Sequence, residues 1–230
     1  MELLVVIMII IILAGILMPS LQAARVQMLR AKCGNNLRAI GQGCLAYSQD
    51  STKTRSSQAG VLPSVATALN DWAGTHRGLW LLIQYEMVGR EYFLCPEAEL
   101  RRDLQAPSAS DTEFTATTCS YAYLAQPYGA NHFSTTPSVE PGGGGMIILA
   151  DDNPLAAFGG GGTGMPTSSN SENHNGDGQN VADVGGAVKW VQSPVLAVAS
   201  NRNDNIYVQG DNGAAGAANR LTVDDIYLIP

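Results

Sequence analysis

One short stretch of the sequence has the oxygen-rich spacing of a calcium-binding loop. Asn173, Asn175 and Asp177 place side-chain oxygens at alternate positions. An EF-hand loop would need glutamate at residue 184, where Val184 stands, and Asp183 lies one position short. The stretch therefore predicts either a calcium site made of Asn173, Asn175, Asp177 and Asp183 or a Gly/Asn turn that leads into a hairpin.

Other residues that could do chemistry are scattered along the chain. Asp151-Asp152-Asn153 and Asp224-Asp225 are alternative sources of metal ligands, although such residues are more common in turns and helix caps. His76, His132 and His174 lie in polar stretches that indicate loops. The sequence has no G-x-S-x-G nucleophile motif, and its glycine runs lack the placement of phosphate-binding loops. We therefore expect no catalytic site, and a protein that is not an enzyme.

The sequence contains four cysteines. Cys33 and Cys44 are 11 residues apart on a predicted helix, hence roughly 16 Å apart, too far for a disulfide between them. Cys95 and Cys119 follow in the second part of the chain. No C-x-x-C pair occurs, which argues against a zinc site.

The first 49 residues predict one long helix. Leu3–Met18 is apolar or glycine throughout, as in a segment that lies in lipid or in a helix bundle. Pro19 predicts a kink or local unwinding near Gly15–Pro19, because it removes a backbone donor and clashes with the preceding turn. An amphipathic helix follows, which brings the total length to about 70 Å. Its small residues would admit a partner helix or the chain's own sheet; they are Ala31, Gly34, Gly41 and Gly43.

The 230-residue chain has a net charge of −7, which is divided unevenly. Residues 1–49 carry +3 and residues 50–230 carry −10. An acidic protein is a poor partner for nucleic acid, so we expect no nucleic acid as the main partner. We interpret the chain as two domains, an N-terminal hydrophobic and amphipathic helix over 1–49 and a globular head over 50–230.

The head has mostly strand and turn signals. A helix is predicted over Leu79–Val88 with Gly89 as its stop, and a short strand or turn over Tyr92–Pro96. Strands are predicted from their β-branched runs and a Gly-Gly turn; they are Cys119–Ala125, Met146–Ala150, Val181–Val184, Ala187–Val191, Ile206–Val208 and Ile226–Ile229. The fold class is thus α+β, with the long helix, kinked near Pro19, packed on an antiparallel sheet.

The N-terminal segment resembles that of type IV pilins and type II secretion pseudopilins. The resemblance covers about residues 1–49 and rests on Glu2 through Ile7, the aliphatic run, Pro19, and Asn35 through Gly41. It implies a pilin-like fold and a subunit that polymerises with copies of itself through its N-terminal helix. It also implies that Glu2 docks each new subunit, through a neighbour's N-terminal amine. In the family a basic leader and a few residues precede this glutamate, so we expect either a longer precursor or a variant N-terminus.

The same resemblance implies partners and location. Prepilin peptidase and the pilus assembly machinery would act on the chain, which would wait in the inner membrane and then join an extracellular filament. Arg25, Arg30 and Lys32 alone would place the head on the cytoplasmic side, so the outward orientation depends on the resemblance. The alternatives are a pseudopilin of a type II secretion system and a membrane-anchored surface binding protein that does not polymerise.

The head resembles the pilin-like proteins of planctomycetes and their relatives, though more loosely. The resembling pieces are Phe93–Pro96, Ser120–Tyr123, Ile148–Asp151, His174–Val181 with Asp183, and Val188–Trp190. A head outside the cytoplasm predicts a Cys95–Cys119 disulfide. Pairing of a helix cysteine with a head cysteine and free buried thiols are the alternatives. Calcium fits the family as well, since some pseudopilins hold it in a loop; otherwise we expect no cofactor.

Overall fold

The computed structural model describes residues 2–49, 62–63, 72–102, 104–115, 117–124, 147–152, 156–157, 160–161, 170–183, 185–198, 202–207 and 228–229. A long N-terminal helix and an antiparallel sheet make up its framework. The predicted α+β fold class, with a pilin-like arrangement of helix and sheet, is therefore confirmed.

Helix α1 spans Glu2–Gln49 and divides into two halves of different character. Large side chains from Leu3 to Met18 are 49–78% exposed. In the second half, the side chains that recur at spacings of three and four residues are fully or almost fully buried; they are Cys33, Leu37, Ile40, Cys44 and Tyr47. The C-terminal half of α1 thus belongs to the core of the head.

Pro19 lies inside α1 without ending it. The helix is continuous across Gly15 and Pro19, and the Ser20 hydroxyl donates to the carbonyl oxygen of Leu17 at 2.8 Å. The predicted local unwinding is therefore absent from this structure. A proline removes one donor from the helix ladder, and the helix continues on both sides of it.

The strands of the main sheet are β1 Tyr121–Leu124, β2 Ile147–Asp151, β5 Gln179–Asp183, β6 Val188–Val191 and β9 Leu228–Ile229. Their order in the sheet is β6-β5-β2-β1-β9, with every neighbouring pair antiparallel. The predicted hairpin is β5–β6, where Gly186 adopts a φ of 81° and the Asp183 amide donates to the Ala187 carbonyl oxygen. Burial of β2 and β5 places the sheet's centre directly against α1.

Two small antiparallel pairs accompany the main sheet. Strand β3 (Ala156–Ala157) pairs with β4 (Gly160–Gly161), and β7 (Val195–Val198) pairs with β8 (Arg202–Asn205). The prediction of a strand at Ile206–Val208 was wrong for Ile206 and Tyr207, which form a buried turn directly after β8. Val208 lies outside the described residues.

The short helices differ most from the prediction. Helix α2 spans Trp72–Gln84 and ends well before Gly89, because Glu86 already adopts a positive φ of 55°. A 3-10 helix at Arg90–Phe93 and helix α3 at Pro96–Arg102 replace the predicted strand or turn. A proline at the first position suits a helix, since its missing N–H has no partner there. A second 3-10 helix covers Glu172–His174.

Small residues let α1 approach the head closely. A Cβ atom added at Gly34 would lie 3.3 Å from Asn180 Oδ1, and one at Gly43 would lie 2.3 Å from a methyl carbon of Val88. These two glycines therefore serve packing against the chain's own head, one of the two interpretations that the sequence left open.

Candidate functional site

Four side chains with metal-ligand chemistry converge where α1 meets the sheet. Cys33 comes from α1, Cys95 directly precedes α3, Asp151 ends β2, and His174 ends the second 3-10 helix. One donor atom from each lies within 4.8 Å of all the others, and all four residues are buried. We call these four residues the Cys/Asp/His cluster.

Asp151 is the centre of the cluster's hydrogen bonds. Its Oδ1 accepts from the Cys33 thiol at 2.8 Å, and its Oδ2 accepts from the Asn180 backbone amide at 2.6 Å. His174 Nε2 lies 3.2 Å from the same Oδ2. A fully buried carboxylate is costly unless such donors surround it, so the cluster's geometry depends on this residue.

His174 is held between two carboxylates. Its Nδ1 lies 2.7 Å from Glu97 Oε2, and its Nε2 faces Asp151 and the Cys95 sulfur, the latter at 3.9 Å. Burial by itself would lower the pKa of His174, but the hydrogen bonds with Asp151 and Cys95 outweigh it and raise this pKa to about 11. Both ring nitrogens face carboxylate oxygens, an arrangement that favours the charged form of the imidazole.

The two head cysteines have opposite acidities. The neighbouring Cys33 side chain is the main reason that the pKa of the Cys95 thiol is lowered to about 6; burial opposes it and His174 adds to it. Burial raises the pKa of Cys119 to about 12. Cys95 therefore has thiolate character at neutral pH, whereas Cys119 stays a neutral thiol that donates to the Tyr121 carbonyl oxygen.

The segments around the cluster are positioned by polar contacts. Ser120 accepts from the Cys95 amide through Oγ and from the Asn173 side chain through its carbonyl oxygen, the second contact at 2.6 Å. Ser171 caps the second 3-10 helix by accepting from the Asn173 amide. Together these bonds fix the approach of Cys95 and of the helix that carries His174.

An aromatic and ionic layer covers the cluster on its outer side. Trp190 packs edge-on against His174, with ring centroids 5.1 Å apart, and the Arg30 guanidinium lies 4.4 Å from the Trp190 ring centroid. Arg30 also pairs with Asp177. The cluster is therefore shielded from water, and its donor atoms face each other and not an open cleft.

The predicted calcium ligands have separate contacts in the structure. Asn173 donates to Ser120, Asn175 occupies a left-handed turn with a φ of 59°, and Asp177 pairs with Arg30. Asp183 Oδ1 accepts from the Ala187 amide in the β5–β6 turn. These contacts match the turn interpretation and lend the calcium site no support.

The other predicted site residues have mixed outcomes. The structure has all four cysteines as free thiols, and it places the Cys95 sulfur beside His174 and Asp151, so the Cys95–Cys119 disulfide has no support in the structure. Glu2 begins α1, but its side chain lies outside the described part of the chain, and the docking role stays a prediction.

Sequence reasoning missed the Cys/Asp/His cluster. The absence of C-x-x-C spacing excludes only sites built from a local pair of cysteines, whereas this set comes from residues 33, 95, 151 and 174. One signal was available: three of these residues lie in the short pieces on which the head's resemblance depends, and Cys33 lies two residues before Asn35.

Comparisons with models of protein families, with curated proteins and with solved structures find no match to this chain. Among the residues that the structure describes, one helix, within residues 3–49, is long and apolar enough to cross a membrane, and its most apolar stretch is not buried in the protein.

Proposed function

We propose that this chain is the structural subunit of an extracellular filament of the type IV pilus kind. The observation that carries the proposal is the division of α1 into an apolar half with no cover and a half that belongs to the head. Burying a large aliphatic side chain is worth about 1.5–3 kcal/mol. The run from Leu3 to Met18 therefore needs lipid or other helices around it.

The two environments would follow each other in time. Before assembly the run lies in the inner membrane, where acyl chains cover it. During assembly it enters a bundle of copies of itself. Lipid tails are as apolar as leucine, so the hydrophobic effect alone gives little preference between these states. Close packing and polar contacts must then favour the bundle.

Glu2 is the polar group that would supply this preference. A carboxylate beside an apolar run is costly in lipid unless it finds a cation. The N-terminal amine of a neighbouring subunit would provide that cation only in the assembled filament. The pair would also set the register between subunits, since only one axial offset brings the two groups together.

A structural role also fits the head. The four side chains of the Cys/Asp/His cluster have nucleophilic or acid–base chemistry, but they are fully buried. A substrate would therefore not reach them in this conformation. The acidic remainder of the chain would form the outer coat of the filament, where like charge favours solubility.

The test replaces Glu2 in the cells that make the chain. Glu2→Ala should leave the amount in the membrane fraction unchanged and reduce sheared filaments more than about tenfold, because losing a buried charge pair costs more than about 1.4 kcal/mol. Glu99→Ala is the matched control, since Glu99 is an exposed carboxylate on α3. Filaments are counted by electron microscopy and identified by mass spectrometry.

Three results would contradict this proposal in different ways. A normal filament yield from Glu2→Ala removes the docking role. The unaltered chain could instead stay in the membrane fraction as a monomer, with no fibre that contains it. That result would favour the anchored binding protein. Fibres that are short and confined to the cell envelope would indicate the pseudopilin alternative.

A further inference from the structure

We infer that Cys33, Cys95, Asp151 and His174 form a binding site for one divalent transition-metal ion of the zinc type, which joins the assembly helix to the head. The inference goes beyond the proposed function and does not depend on polymerisation. Three of the ligands belong to the head and the fourth, Cys33, belongs to α1.

The geometry is close to that of a four-coordinate site. Zinc–sulfur bonds of about 2.3 Å and zinc–nitrogen bonds of about 2.0 Å place tetrahedral ligand atoms roughly 3.3–3.8 Å apart. Here His174 Nε2 is 3.2 Å from Asp151 Oδ2 and 3.9 Å from Cys95 Sγ, and no pair of the four donor atoms exceeds 4.8 Å. Shifts of about 1 Å or less would complete the coordination.

The donor set selects the kind of ion. Two sulfurs, one imidazole nitrogen and one carboxylate oxygen suit a borderline-soft ion such as Zn²⁺, whereas Ca²⁺ and Mg²⁺ take oxygen ligands. Coordination requires both thiols as thiolates and His174 Nε2 without its proton, so any protons that these three groups carry leave to solvent when the ion binds. One divalent ion then faces three anionic ligands and one neutral imidazole.

Outer contacts already hold the ligands in the required orientation. Glu97 accepts from His174 Nδ1, which directs Nε2 towards the sulfur atoms, the arrangement of a carboxylate–histidine–metal triad. The Asn180 amide fixes Asp151 Oδ2, and the Tyr121 hydroxyl lies 3.4 Å from Cys33 Sγ. All four ligands are 0% exposed, so no ligand position faces a cleft and the site is structural.

Cobalt(II) is the probe, because its absorption reports both geometry and thiolate ligation. The full-length chain, reduced and treated with a chelator in dodecyl maltoside, is titrated with Co²⁺. We expect one equivalent to bind, with the intense visible bands of four-coordinate cobalt and a thiolate charge-transfer band, and Zn²⁺ to displace it. Cys95→Ser should weaken binding by roughly 100-fold or more.

Cys119→Ser is the matched control, because Cys119 is also a buried free thiol but is not one of the four clustered ligands. Its thiol donates to the Tyr121 carbonyl oxygen instead. It should leave the cobalt spectrum and affinity unchanged, and far-ultraviolet circular dichroism verifies that each variant is folded. If Cys95→Ser does not fold, alkylation of the unaltered chain decides. Zn²⁺ should then protect Cys33 and Cys95, but not Cys44 and Cys119, relative to chelator.

Three outcomes would overturn the inference. The first is a folded, reduced chain that binds no Co²⁺. The second is a cobalt spectrum that survives in folded Cys95→Ser. The third is a chain that, as isolated from cells, has a Cys33–Cys95 disulfide by mass spectrometry, because that bond removes both thiolates.

Discussion

Replacing one leucine on each half of α1 tests the division of this helix most directly. Leu37 is 0% exposed and Leu21 is 71% exposed, on the same helix 16 residues apart. Leu37→Ala removes buried methyl groups and leaves a cavity, which costs about 2–5 kcal/mol. Leu21→Ala loses little burial and gains slightly in helix propensity, so its effect should stay within about 0.5 kcal/mol.

The measurement is unfolding of the head by urea and by heat, with the full-length chain in mild detergent. Trp80 reports the transition through its fluorescence, because it is 4% exposed in the folded core. For a protein of this size, the expected loss at Leu37 corresponds to a melting temperature lower by about 4–20 °C. Equal effects of the two substitutions, or none at Leu37, would show that the second half of α1 is not part of the head core.

Two further substitutions, each with a control, probe how closely α1 packs. Gly43→Ala would place a Cβ atom 2.3 Å from a methyl of Val88 and should destabilise the head by about 1–3 kcal/mol in the same assay. Gly15→Ala is the control, because its Cβ atom meets open space; equal stability of the two variants would contradict the close contact. Asn36→Ala removes a buried amide that donates to the Leu94 carbonyl oxygen at 2.8 Å, and it should lower the free energy of unfolding by about 1–3 kcal/mol. Asn36→Gln should not restore this stability, because the longer side chain shifts the amide away from the carbonyl oxygen.

The long-range features of the fold follow from periodic patterns in the sequence. The apolar run and the near-helical spacing of Leu21, Met28, Leu37 and Leu45 predicted α1, and the Gly-Gly turn predicted the β5–β6 hairpin. Helix α3 cannot be predicted from the sequence with the same ease, because Pro96 fits the end of an extended segment as well as the first position of a helix. Strand β7 gave no strong signal, since a four-residue run is too short for periodicity to distinguish.

Local sequence patterns predict the main elements of the fold, but they do not predict the Cys/Asp/His cluster. Its residues lie on four separate segments, and each segment taken alone has an ordinary interpretation: a helix cysteine, a thiol before a proline, a strand end and a turn histidine. Only the packing of α1 on β2 and β5 brings them within reach of one another. The same packing uses Gly34 to bring the α1 backbone close to Asn180.

The cluster's position links the two proposals physically. Cys33 is the first residue of α1, counted from the N-terminus, that is buried in the head, so the cluster lies where the helix leaves its exposed half and enters the core. If α1 forms the filament's centre, any pull between subunits reaches the head through this junction. Without the ion, several weak hydrogen bonds hold this junction. A metal ion would instead join Cys33 to three head ligands through one coordination centre, so that all four contacts would have to break together. A filament built with the Cys95→Ser chain should therefore form at normal yield, because Leu3–Met18 and Glu2 are untouched, but its heads should unfold under shear, and be cut by protease, more readily than those of a filament built with Cys119→Ser.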